Sequence, residues 1–424
     1  MKRSPWLVFV LALLFYGLSV GSMLFKQTGM QQYVYLADAF LHGHLDLIHI
    51  PGTYDLIFFH DKWYVPGAPA PALLYLPLVV LFGLNVSDVF FSVVLAAVNT
   101  ALVYDLLGRL GEDQSTSKRV WLTVLFAAGT VHWWVASVGS VWFNAQIMAV
   151  LFTILFVRET LTDQRPWLVG IWLGVAALCR PTLLFAVPFF LLYNFLRKQD
   201  WRSFLRKSLP FAGTLSLAVI VMLGYNFLRF GNSLDFGYGY VQGSKALTTL
   251  YATYGGFNLR YMPCNMYISL VGLPNIPHNP LPTVNAMCPD YIVPLAFKHV
   301  SDFFNPLGMS IFLTTPALVY AFRARLREPL NLAALVATLS VTLVVWTYHT
   351  PGFVQYGYRY LLDVIIFLVI LVASGMRKIG KLEIIFILAS VLMNFIGLYV
   401  MFKDTFKIGW FNMWLQIFTH LFGH

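Results

Sequence analysis

Four carboxylates crowd one stretch of the chain: Asp38, Asp46, Asp55 and Asp61. A carboxylate beside a lipid surface can take the proton of an attacking hydroxyl or amine, or hold a divalent cation. Asp46 and Asp61 sit among turn residues, where solvation explains them. Asp38 lies in Gln31–Leu41, a mostly apolar helical pattern ending near Gly43, and an unpaired charge is costly there. Its neighbours Leu36, Ala37, Ala39 and Phe40 would favour a base working near neutral pH. Asp55 opens the apolar run Leu56-Ile57-Phe58-Phe59 and is the second candidate acid. Asp38 and Asp55 are therefore expected to face one cavity. A divalent cation, Mg²⁺ or Mn²⁺, would fall to Asp38. His42 and His44 form a weak metal signal, because residues two apart on a helix do not share a face.

The complementary charges are Lys62, Arg180, Arg260 and Arg359. Guanidinium groups bind phosphate through two parallel hydrogen bonds. Arg359 lies in Gln355-Tyr356-Gly357-Tyr358-Arg359-Tyr360, with Tyr358 as an aromatic contact for substrate. Asp363 follows one helical turn later, so a structural Arg359–Asp363 pair is the alternative. Arg180, at the tight turn Cys179-Arg180-Pro181, reads first as an anchor reaching for the interface. Gly231–Tyr240 is rich in glycine and tyrosine, which suits a sugar-contacting loop or an interfacial belt equally. His132-Trp133-Trp134 reads as such a belt.

These groups must be positioned by membrane helices. Of 424 residues, 59% are hydrophobic and 11% charged, and the mean hydropathy is +0.71. A soluble chain needs more charge to cover its surface. Apolar runs of spanning length recur at 6–24, 89–108, 120–138, 142–157, 166–180, 181–196, 209–228, 307–322, 330–347, 359–375 and 383–402. Pro71–Leu84 is shorter and holds Pro71 and Pro77, which fits an interfacial or re-entrant helix.

Charge decides the topology. With the N-terminus cytoplasmic and Pro71–Leu84 not spanning, 18 of the 28 Lys and Arg fall on cytoplasmic loops and 10 outside. If the segment spans, the ratio inverts, against the positive-inside rule. The expectation is an all-α, multi-pass plasma (inner) membrane protein with about eleven transmembrane helices. It forms a single integral membrane domain, 1–424, with outer segments at 25–88 and 229–306. The net charge of +10 then reflects basic loops and membrane lipids, and no nucleic acid is needed as a partner. Within the first outer segment, Asp55–Phe59 and Lys62–Val65 flank His60-Asp61 as a short hairpin. Cys264 and Cys288 share the second, and an oxidising exterior predicts a disulfide between them.

Three stretches carry a resemblance. YVYLADAFLHG is similar to the first interfacial helix of GT-C glycosyltransferases. WYVPGAPAPALLYLP resembles their proline-rich entry to the next helix. VSDVFFSVVLAAVNTALVYDLLGRLG resembles the helix that ends at a basic cytoplasmic turn. The nearest shapes are protein O-mannosyltransferases and lipid A aminoarabinose transferases, and the likeness covers about the first 200 residues. It implies a GT-C-like fold that transfers a sugar from a polyprenyl-phosphate donor to an acceptor at the outer face. Asp38 or Asp55 would be catalytic, and Lys62, Arg260, Arg359 and Tyr358 would bind substrate. Family members usually carry an acidic residue between the first span and the interfacial helix. Here that segment reads Lys26-Gln27-Thr28-Gly29-Met30-Gln31, without one. Either another acid has taken the role, or the scaffold lacks the usual chemistry. A translocase of lipid-linked sugars and a non-catalytic GT-C-like scaffold are the alternatives, although few charges lie within the spans.

Overall fold

The computed structural model describes residues 4–111, 115–162, 165–197, 200–274, 288, 307–352 and 355–400. Helix α1 (Pro5–Val20) starts at a Ser4 cap with proline in its first turn. The short α2 (Gln32–Leu41) follows and closes on Gly43, which takes the left-handed φ of 78° that lets the chain reverse there. Helix α3 (Ala70–Phe82) holds Pro77 and is 13 residues long. At 1.5 Å per residue that is about 20 Å, short of an apolar core about 30 Å thick. It packs on α2.

The bundle proper begins with α4 (Asp88–Leu107). Next come α5 (Thr116–Ala128) and α6 (His132–Val138), bent by 47° where they meet. α7 (Val141–Thr162) forms the buried centre, flanked by α4 and by α8 (Pro166–Cys179). A 3-10 turn, Pro181–Ala186, leads into α9 (Val187–Leu196). The 30-residue α10 (Trp201–Phe230) lies along α8. The crossing is close because α8 presents Gly170 and Gly174 to it. A Cβ on Gly170 would run into the Phe211 carbonyl and the Thr214 hydroxyl, and one on Gly174 would meet Ala218. This small-xxx-small pattern brings backbones together where hydrophobic burial gives no help.

Beyond α10 come α11 (Lys245–Tyr254) and α12 (Met262–Leu270). Then follow the helices Pro329–Trp346, Ile365–Gly375 and Lys381–Val400. Among the described residues six helices are long and apolar enough to cross a membrane, or seven with the bent α5–α6 pair as one. The chain is thus an all-α polytopic membrane protein. Several expected spans are short or broken. Residues 307–322 contain a four-residue helix, Ile311–Thr314, and a 3-10 segment, Pro316–Arg323, because Pro316 interrupts the helix. Residues 359–375 begin as a 3-10 turn, Arg359–Asp363.

One small sheet joins the segment before α3 to the segment after α10. β1 (Leu56–Phe59) pairs antiparallel with β2 (Lys62–Tyr64) on one side and with β3 (Val241–Gln242) on the other. The β1–β2 turn is the two-residue His60-Asp61 turn expected from sequence. Both residues have positive φ, 48° and 59°, the geometry that matches the twist of paired strands. The Cys264–Cys288 disulfide is formed.

Candidate functional site

Charge sorts to the two ends of the bundle. Asp105 binds Arg109 and Arg158, each at 2.9 Å, at one end. That end also gathers Lys118, Arg325 and Arg377. The sheet, Asp55 and Arg359 lie at the other.

Asp55 is held from three directions. Its backbone N–H donates to the Gln242 carbonyl at 2.7 Å. Its carboxylate accepts from the Trp142 indole N–H, at the start of α7, at 3.0 Å. One carboxylate oxygen packs over Gly243, where a Cβ would stand 3.2 Å away. Burial raises the Asp55 carboxyl above its ordinary range, and the Trp142 N–H and the Arg359 charge only partly offset it. A carboxylate so placed is a proton acceptor working closer to neutrality than a solvated aspartate.

Arg359 is buried, at 8% exposure. Its backbone is fixed at both ends: its N–H donates to Gln355 Oε1 at 3.2 Å, and its carbonyl accepts from Gln146 Nε2 at 3.1 Å. The guanidinium lies against the rings of Phe143, at 5.0 Å, and Tyr360, at 5.2 Å. Its Nε has no hydrogen-bond partner, and it forms no ion pair among the described residues. The one-turn pair with Asp363 that the sequence allowed does not form, because Asp363 is taken by Arg180 at 3.0 and 3.2 Å and by the Thr182 hydroxyl at 2.7 Å. Arg180 is accordingly no interfacial anchor. It lies over Tyr360 at 4.9 Å, so this ring sits beside both guanidinium groups. Tyr238 and Tyr348, hydrogen-bonded to each other, complete the wall and feel the Arg180 charge. Burial draws the nearby His349 imidazole down to about 4 despite its bond to Gly256, so it is neutral near pH 7.

The other sequence candidates lie apart from this group. Asp38 contacts His49 Nδ1 at 3.1 Å and His42 Nδ1 at 3.7 Å, and shares no described contact with Asp55. One carboxylate facing two imidazoles does not match the oxygen shell that Mg²⁺ or Mn²⁺ prefers. Among the described residues no three His, Cys, Asp or Glu side chains converge as a ligand set. Lys62 reaches Asp46 at 3.2 Å on the exposed hairpin. Burial there opposes ionisation, but the Lys62 ammonium, a backbone N–H and the His44 ring together outweigh it and hold the Asp46 carboxyl below its usual range. Arg260 stacks over Tyr254 at 4.5 Å. Tyr358 is buried behind Arg359, its ring 5.7 Å from that of Tyr360. The Gly231–Tyr240 loop enters the wall through Tyr238.

Three arrangements escaped the sequence reading. His132, Trp133 and Trp134 are not a lipid-facing belt but are buried in the bundle. There His132 binds the Tyr16 hydroxyl at 2.9 Å, and the Trp133 N–H donates to Ser19. The segment without an acid, Lys26–Gln31, receives one from α4: Asp88 accepts from the Thr28 backbone and hydroxyl and from the Val89 N–H. Asp88 is 1% exposed and ties the start of α4 to this segment. Arg229 ties α10 to the proline-rich loop through the carbonyls of Val65 and Gly67.

No curated protein and no solved structure shows a significant match to the chain. Residues 69–225, from the start of α3 to near the end of α10, match the model of the dolichyl-phosphate-mannose-protein mannosyltransferase family. That stretch includes Trp142 and Arg180 but neither Asp55 nor Arg359. Together with the helical membrane fold, the match supports membership of this chain in the GT-C superfamily of membrane glycosyltransferases.

Proposed function

We propose that the chain transfers a sugar from a polyprenyl-phosphate donor to an acceptor at the outer face of the membrane, with Asp55 as general base. The observation that carries this reading is the buried Arg359 guanidinium, without an ion pair among the described residues, set near a carboxylate whose ionisation burial resists. A buried cation in this state is stabilised by an incoming anion, and a phosphodiester fits a planar guanidinium well. Asp55 removes the proton of the acceptor hydroxyl or amine as it attacks the anomeric carbon. The carbon–oxygen bond to phosphate breaks, its electron pair stays on the phosphate oxygen, and polyprenyl phosphate leaves with inversion at the sugar. Arg359 stabilises the charge gathering on that phosphate. Arg180, held by Asp363, orients Tyr360 alongside it. No step is assigned to a metal.

The test is release of polyprenyl phosphate by purified protein in liposomes, from a synthetic lipid-linked sugar. Asp55→Asn should lower turnover by about 10²–10⁴-fold, the usual worth of a general base, while leaving donor binding in place. Arg359→Gln should weaken donor binding. Asp38→Asn should keep most of the activity. Full turnover in Asp55→Asn, or loss only in Asp38→Asn, moves the base to Asp38 and refutes the assignment.

A further inference from the structure

At the end of the bundle opposite Asp55, three connections meet around a cavity of about 330 Å³. Leu110 and Gly111 follow α4, and Lys118 lies in the first turns of α5. Arg325 and Glu328 precede the Pro329–Trp346 helix. Ile370, Ala373, Ser374 and Arg377 close the third side. This volume lies within the range of small-ligand sites, about 300–1,000 Å³.

The lining is divided. Leu110, Leu330, Ile370 and Ala373 give one apolar wall, and the three cations Lys118, Arg325 and Arg377 lie around the polar remainder. Among the described lining residues the one carboxylate, Glu328, is engaged by Arg325 at 3.5 Å and by Asn331 at 3.2 Å. The polar floor is fixed: Asn331 Nδ2 donates to the Ser374 hydroxyl at 2.7 Å and to the Arg325 carbonyl at 3.0 Å, and Ser374 Oγ accepts from the Arg325 backbone at 3.2 Å. Gly375 keeps the wall closed, because a Cβ there would collide with the Tyr320 carbonyl. Lys118 is 3% exposed, so a buried ammonium forms part of the lining.

We infer that this cavity binds a phosphate-bearing headgroup, with Arg377 and Arg325 on the phosphate and the apolar wall receiving the start of an acyl chain. Basic pockets between helices at the cytoplasmic interface hold anionic lipid headgroups in this way. All three cations belong to connections that the charge count places on the cytoplasmic side. The site lies apart from the proposed transfer site, and its occupancy is readable without any transfer activity.

The experiment uses the full chain in nanodiscs of phosphatidylcholine, with graded phosphatidylglycerol or with soluble glycerol phosphate. Binding is read as the rise in melting temperature and as retained lipid by native mass spectrometry. Wild type should be stabilised by phosphatidylglycerol. Arg377→Gln should need about five-fold more of it, the worth of one basic side chain near a charged headgroup. Ala373→Phe, which fills the cavity from its apolar wall without changing charge, should also weaken retention. Each variant is referenced to its own melting temperature in pure phosphatidylcholine, which separates binding from folding. Equal stabilisation by glycerol phosphate makes the ligand a soluble phosphate ester, and stabilisation by phosphatidylglycerol alone makes it a membrane lipid. No stabilisation by either, or full stabilisation of both variants, overturns the inference.

Discussion

Asp55 sits at a left-handed backbone angle, φ 60°, that aspartate tolerates better than most residues. That angle turns its carboxylate toward α7 just before β1 begins. The Trp142 N–H favours the ionised form and so holds its proton affinity down. In Trp142→Phe that restraint is gone and the carboxyl rises further. A base must be ionised to work, so activity falls as pH drops through its folded-state value. The acid limb of the pH–rate profile should therefore lie above the ordinary carboxylate range in wild type and move to higher pH in Trp142→Phe. An unchanged limb would separate Asp55 from the rate-limiting proton transfer. The sign for stability is the reverse: a raised folded-state value contributes stability at low pH that is lost as pH rises through it. Sequence named Asp55 and Arg359 but ranked Asp38 ahead of Asp55. Apolar neighbours along α2 concealed that His42, one turn on, and His49, brought back by the following loop, both meet Asp38. Trp142 gave no signal, because tryptophan at a span's outer end is the ordinary interfacial residue.

Among the elements, the α8–α10 seam is where a small change should have the largest structural effect. Gly170→Val places branched carbons against the Phe211 carbonyl and the Thr214 side chain. The helices must separate, at a cost of about 1–3 kcal/mol. Because α8 ends at Cys179, next to Arg180, the displacement should also reach the Arg180–Asp363 pair. Lower thermal stability together with weaker donor binding is the expected result; normal values of both would show that the seam yields without consequence. The apolar runs of spanning length in α4, α7 and α10 made these elements legible. The breaks at Pro316 and at the 3-10 turn Arg359–Asp363 were not, because each adjoins an apolar stretch long enough to read as part of a continuous span, and backbone pairing alone distinguishes them. The His60-Asp61 hairpin was legible from local turn chemistry. Its third strand was not, since Val241–Gln242 is only two residues long and is recruited from the other outer segment.

For the whole molecule, the charge count and the packing agree on two chemically distinct ends. Cysteine placed at Ser115, the cap of α5, should be labelled from the cytoplasmic side alone; labelling from outside would invert the bundle. The Cys264–Cys288 bridge belongs to the opposite end. With its sequence separation of 24, replacing Cys264 by serine should lower the stability of the second outer segment by about 3 kcal/mol in the chain-entropy picture. Reducing agent should reproduce the loss in wild type and add nothing in the variant. The overall plan was readable because lipid forces each span to declare itself in composition. The convergence of Asp55 and Arg359 was not, because it depends on which helix ends meet.

The third strand sets a schedule for synthesis. Asp55 takes its place only when Gln242 reaches it, and Gln242 is made roughly 190 residues later. At about 5–20 residues per second, that is on the order of ten to forty seconds. Through this interval the β1 edge that awaits β3 stands unpaired, open to pairing with another chain. A nascent protein stalled between α10 and β3 should be captured by added strand-forming peptides, and one released past Gln242 should not.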